Sequence, residues 1–120
     1  MVLAPAVARY IARIVSATHP GSEEAPEPVA QYVQYGVSPR AAIGIAEAAR
    51  AWAMMGGRPT VGFEDVRKVA PFVLNHRLIL NYRARFDHID IHELIASLLA
   101  ELPETELDLP DSIAVEGEPA

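Results

Sequence analysis

The residues best placed to do chemistry in this chain are Ser38, Pro39 and Arg40, which stand where a helix begins. Pro39 suits the first helical position, because the N–H it lacks has no partner there in any helix. Ser38 reads as the N-cap, its side-chain oxygen accepting from a free N–H of the first turn. Arg40 then falls at the second position, beside the positive end of the helix dipole, where a cation is mildly unfavourable unless an anion lies close. Free N–H groups, a dipole end and a guanidinium together suit a phosphate. Spacing alone favours the plainer alternative, Arg40 pointing into water.

Other candidates are weaker. His88 and His92 are four residues apart, with Asp90 and Glu93 nearby. Two histidines without a third ligand rarely hold zinc, and the order is not H-E-x-x-H, so no metal site is expected. Capping and surface polarity account for these residues. His76 and Arg77 close a predicted helix, where cations complement the dipole. No serine–histidine–acid or paired-carboxylate arrangement stands out. Tyr32, Tyr35 and Trp52 read as packing residues, since no basic stretch interleaves them as a base-stacking surface would require. There is no G-x-x-x-x-G-K-[ST] loop, and the single lysine, Lys68, follows an arginine. Nor is there an apolar strand ending in paired acids that could hold Mg²⁺.

The elements that must position Arg40 follow from periodicity. Val7, Tyr10, Ile11, Ile14 and Val15 predict a helix over 5–18 with one apolar face. Residues 19–28, HPGSEEAPEP, form a loop. A short helix over 28–35 follows, ended by Gly36 in the left-handed region. The Ala-rich segment 39–55 predicts the central helix, with residues 43, 46, 49 and 53 facing its neighbours and Gly56-Gly57 ending it. A third helix starts near Phe63 with Glu64 and Asp65 in its first turn, and Pro71 is expected to kink or break it. Residues 77–81 look extended and 81–87 look like a loop. A fourth helix over 91–102 begins at an Asp90-x-x-Glu93 capping pair and is stopped by Pro103. The expected fold is all-α: a small four-helix bundle with short connecting helical turns over 1–102, then an acidic tail over 103–120.

Residues 35–78 carry further motifs in order: Gly36-Val37-Ser38-Pro39-Arg40-Ala41, Gly57-Arg58-Pro59-Thr60-Val61, Glu64-Asp65-Val66 and Val73-Leu74-Asn75-His76-Arg77-Leu78. This run resembles the C-terminal lid of MoxR-family AAA+ ATPases. The resemblance implies that Arg40 is the sensor 2 arginine, the catalytic residue that reaches the γ-phosphate of ATP. Pro39 and Ala41 flank it as nucleotide-contacting positions. It implies ATP and Mg²⁺ as cofactors of the full-length protein, with none expected for this fragment alone, since the α/β core that holds them is absent from these residues. Implied partners are that core and neighbouring subunits of a ring, which Arg77 could reach, with von Willebrand factor A-type proteins in some family members. The implied work is chaperone-like remodelling driven by hydrolysis. Where the family often has an arginine after an Ala-Thr pair, this chain has His19, which puts that arginine's role at the domain junction in doubt.

Charge and composition bound the rest. The net charge of −6 belongs to residues 103–120, which hold Glu104, Glu106, Asp108, Asp111, Glu116 and Glu118 and no base. A neutral body argues against nucleic acid as a partner, and no apolar run is long enough to span a membrane. The absence of cysteine fits a cytoplasmic protein. The alternative reading is a stand-alone helical interaction module whose core-facing surface docks a partner instead.

Overall fold

The computed structural model describes residues 3–103, which are mostly helical; the acidic tail lies outside the described residues. In chain order the elements are α1 (Pro5–Ala17), α2 (Glu27–Tyr32), β1 (Val33–Tyr35), α3 (Arg40–Met55), α4 (Phe63–Asn75), β2 (Ile79–Leu80), α5 (Tyr82–Phe86) and α6 (Ile91–Glu101). The four longer helices are those expected from periodicity. Between them α1, α4 and α6 pack on one another, and α3 lies on α4 and α1. Tyr10, Ile14, Ile45, Val66, Leu74, Ile95 and Leu98 are the bulk of the fully buried side chains.

The expected helix over 28–35 is replaced in its second half by a strand. Val33 turns extended, and β1 pairs antiparallel with β2 through Val33–Leu80 and Tyr35–Ile79. Asn81 makes the turn-off favourable. Its N–H donates to the Tyr32 carbonyl at 2.9 Å and its side-chain amide to the Gln31 carbonyl at 2.8 Å, supplying partners that a continuing helix would otherwise provide. The same Asn81 accepts from Ala84 N–H at 3.0 Å and so caps α5, a five-residue helix where a loop was expected.

Two expected interruptions do not occur. Gly36 is not left-handed; among the described residues positive φ is found at Gly57 and His88. Glycine is needed at 36 for space, since a Cβ there would stand 2.8 Å from the His19 ring and from the Thr18 carbonyl oxygen. Pro71 lies inside an unbroken α4. Val66, Val69, Ala70 and Leu74 are buried on both sides of it, so packing outweighs the lost backbone bond of about 3 kcal/mol.

The packing face of α3 also differs from expectation. Ala41, Ile45, Ala49 and Ala53 are buried, whereas Ile43 is 59% exposed. Ile43 is two residues from Ile45 and therefore roughly 200° around the helix. The i, i+4 row of alanines lets α4 approach closely. Consequently α3 is an outer helix rather than the central one. It ends as expected: Gly57, with φ 75°, lets Arg58 N–H reach the Ala53 carbonyl at 2.9 Å and Gly57 N–H reach Met54 at 3.0 Å, a Schellman closure.

Candidate functional site

Arg40 is the first residue of α3 and is exposed. Among the described residues it has no ion pair. The Ser38 cap does not form. Pro39 already has helical φ and ψ (−57° and −23°), and no side chain caps this helix. The first turn is instead closed through backbone carbonyls: Ala41 N–H donates to Ser38 at 2.9 Å and Ala42 N–H to Pro39 at 3.0 Å. Ala41 is buried and its N–H is taken, so of Pro39, Arg40 and Ala41 the groups free to meet a ligand belong chiefly to the Arg40 side chain. Ser38→Ala is accordingly expected to shift stability by less than about 0.5 kcal/mol, measured by urea denaturation. A loss near 1 kcal/mol would show that the hydroxyl caps the helix after all.

The chain that leads into α3 is held from outside that helix. Val37, three residues earlier, is held at both backbone groups by the end of α1. Its N–H donates to Thr18 Oγ1 at 3.1 Å, and its carbonyl lies 2.8 Å from His19 Nε2. Since a carbonyl only accepts, that ring nitrogen carries the proton. Thr18 is fully buried and donates back to the Val15 carbonyl at 2.6 Å. The bare Gly36 makes room for the His19 ring. No sequence motif announced this arrangement; the signal present was His19 itself, standing after an Ala-Thr pair.

Two further motif pieces meet. Arg58, after the α3 closure, pairs with Asp65 in the first turn of α4. Asp65 also accepts from Gly62 N–H at 2.8 Å and caps that helix. Its side chain is only 4% exposed against 46% for Arg58. Asp65→Ala removes a cap and a charge-assisted bond, the latter discounted for the solvent around Arg58, and should cost about 2 kcal/mol in chemical denaturation. No change would show that the pair contributes nothing.

The remaining candidates separate. His88 holds φ 57° just past α5, where Ile89 N–H donates to Ala84 at 2.8 Å and His88 N–H to Arg85 at 3.2 Å. It is a left-handed helix stop filled by a non-glycine residue. No group of three metal-ligating side chains exists among the described residues. His88→Gly should raise stability by roughly 0.5–1 kcal/mol, read as a higher melting temperature, because the strain of a Cβ in that conformation is relieved. Asp90 caps α6 by accepting from His92 N–H at 3.2 Å. His76 caps the C-terminus of α4 and Arg77 follows it, both exposed.

Of the aromatic residues expected to pack, Tyr35 is 61% exposed and Trp52 lies at the surface under Lys68 Nζ, 5.3 Å from its ring. Tyr32 donates to Asp87 at 2.9 Å, a bond that raises its pKa. Tyr10 is buried edge-on to Phe63, and burial lifts its pKa against the pull of Arg67 and Arg13.

The AAA lid domain family profile matches residues 27–98. The chain belongs to that family. This lid is 40% identical over 94 residues to the chaperone MoxR1 of Mycobacterium tuberculosis, covering 78% of this chain and 25% of that protein. It is 33% identical over 96 residues to the uncharacterized protein YeaC of Bacillus subtilis, covering 78% of this chain and 27% of that one. The fold is similar to the crystal structure of a candidate ATPase from Cytophaga hutchinsonii, with a TM-score of 0.79 and 36% identity over 85% of this chain and 31% of the other. The lid therefore spans about a quarter of the length of the curated relatives it matches, and it is of the MoxR type. No helix among the described residues is long and apolar enough to cross a membrane.

Proposed function

We propose that this lid closes over ATP held with Mg²⁺ by an α/β core, and that Arg40 is its sensor 2 residue. The observation that carries the reading is an exposed guanidinium at the start of α3 with no carboxylate partner among the described residues. A fork-shaped donor set of that kind matches a phosphate oxygen pair. In the closed state Arg40 stabilises charge on the transferring phosphoryl group, while the core supplies the metal and most of the binding. Alone, the lid binds ATP negligibly. Hydrolysis drives chaperone-like remodelling, and the partners are the core and neighbouring subunits of a ring. From the family alone, the reading extends to a cytoplasmic location and a von Willebrand factor A-type partner.

The test is Arg40→Ala in the full-length protein that joins core and lid, read by ATP turnover and by nucleotide affinity. Normal turnover in a folded variant overturns the reading. A second reading, a stand-alone interaction module, draws on the exposed Ile43, Met54, Met55 and Phe72. A phosphate-loop coding region in frame upstream would leave it without support, because those side chains then have a core to meet.

A further inference from the structure

We propose that Arg77 is a second guanidinium of the Arg40 site, contacting the same terminal phosphate. This rests on the nucleotide-facing reading of Arg40. The start of α3 lies against the end of α4: a Cβ placed on Gly44 would stand 3.5 Å from Val73 Cγ1 and 3.9 Å from Arg77 Nη2. Arg40 sits one turn before Gly44 on the same side of α3, and Cβ positions four residues apart are about 5–6 Å from each other. The Arg77 guanidinium is therefore within about 10 Å of the Arg40 Cβ, a gap that the extended Arg40 side chain and one phosphate group between the two heads fill.

A small residue at position 44 permits this approach. An alanine would fit in ordinary contact, but a longer side chain would take the space in which Arg77 lies. The Arg77 guanidinium lies beside Gly44 of α3, and the residue is exposed. Neither arginine has an ion pair among the described residues. Glu47, three residues past Gly44, is exposed and pairs with neither. Two guanidinium groups converging without a carboxylate between them repel, and a polyanionic group between them relieves that repulsion. The terminal phosphate of a nucleoside triphosphate offers enough oxygens for two forks, and a diphosphate lacks it.

The experiment uses the full-length protein with Arg77→Ala, Arg77→Lys and Arg40→Ala, singly and as the double alanine variant. Turnover and KM for ATP are measured, together with the affinities for ATPγS and ADP. Arg77→Ala is expected to lower kcat by about 10- to 100-fold and to erode the preference for ATPγS over ADP. Arg77→Lys, which keeps the charge but not the fork, should recover part of both. The double variant should lose less than the product of the single losses.

If Arg77→Ala changes neither kcat nor the ATPγS preference while Arg40→Ala lowers both, Arg77 is outside the site and the Arg40 reading survives. If Arg40→Ala is also silent, both fall. Should Arg77→Ala fail to fold, Arg77→Gln retains most of the stem and is read in its place. Recovery of activity on mixing Arg40→Ala with Arg77→Ala subunits would place the two arginines at different nucleotides and overturn the shared site.

Discussion

Arg40→Ala in the full-length protein is expected to lower ATP turnover by about 100-fold while ATP affinity falls less than about tenfold. A hundredfold loss corresponds to roughly 2.7 kcal/mol of transition-state stabilisation, the scale of one well-placed donor at a developing charge. The split between turnover and affinity follows from the proposed role, in which the guanidinium meets charge that grows as the phosphoryl group transfers. Loss of fold does not compete as an explanation. Arg40 is exposed, has no internal partner among the described residues and sits at the positive end of α3, so its removal should leave stability within about 0.5 kcal/mol. Arg40→Lys should rescue only in part, since an ammonium cannot make the paired bonds of a guanidinium. A variant that melts normally and turns over ATP normally would leave Ser38-Pro39-Arg40 as a helix start and nothing more.

Ile45→Asp should unfold the lid, and Ile43→Asp should not. Ile45 is fully buried in the row that α3 presents to α4 and α1, where a carboxylate has no partner. The cost should be about 4 kcal/mol or more, a large part of the 5–15 kcal/mol that holds a typical domain together. Ile43, nearly opposite, should tolerate the same charge within about 0.5 kcal/mol. Circular dichroism during urea titration distinguishes the two. Equal responses would refute the packing face described for α3.

The contrast between these isoleucines also shows where the sequence was ambiguous. In α1, large apolar side chains recur on one side only, and both the helix and its buried face were legible. In α3, alanines and isoleucines surround the axis, so the spacing admitted more than one buried face. Close approach of α4 selected the row with three alanines. α5 is too short to display a helical period. The β1–β2 pair joins segments more than forty residues apart, which no local pattern announces. The Ser38 cap failed because the Ala41 N–H that the hydroxyl would meet is taken by the Ser38 carbonyl. The position of Arg40 at the head of α3 was legible, because Pro39 and the alanines that follow mark it. Its support from Thr18 and His19 was not, because there two side chains meet the Val37 backbone from the far side of α2 and β1.

The grip of Thr18 and His19 on Val37 has a mechanical consequence. The peptide units on either side of the Val37 Cα are each fastened to the end of α1, so neither can swivel without breaking a bond. The chain entering α3 is thus clamped rather than hinged. On the proposed reading of Arg40, any torque that a phosphate exerts there is delivered to α1, a rod about 20 Å long, instead of being absorbed in the loop. A clamped joint of this kind lets a contact at one side chain turn a whole domain.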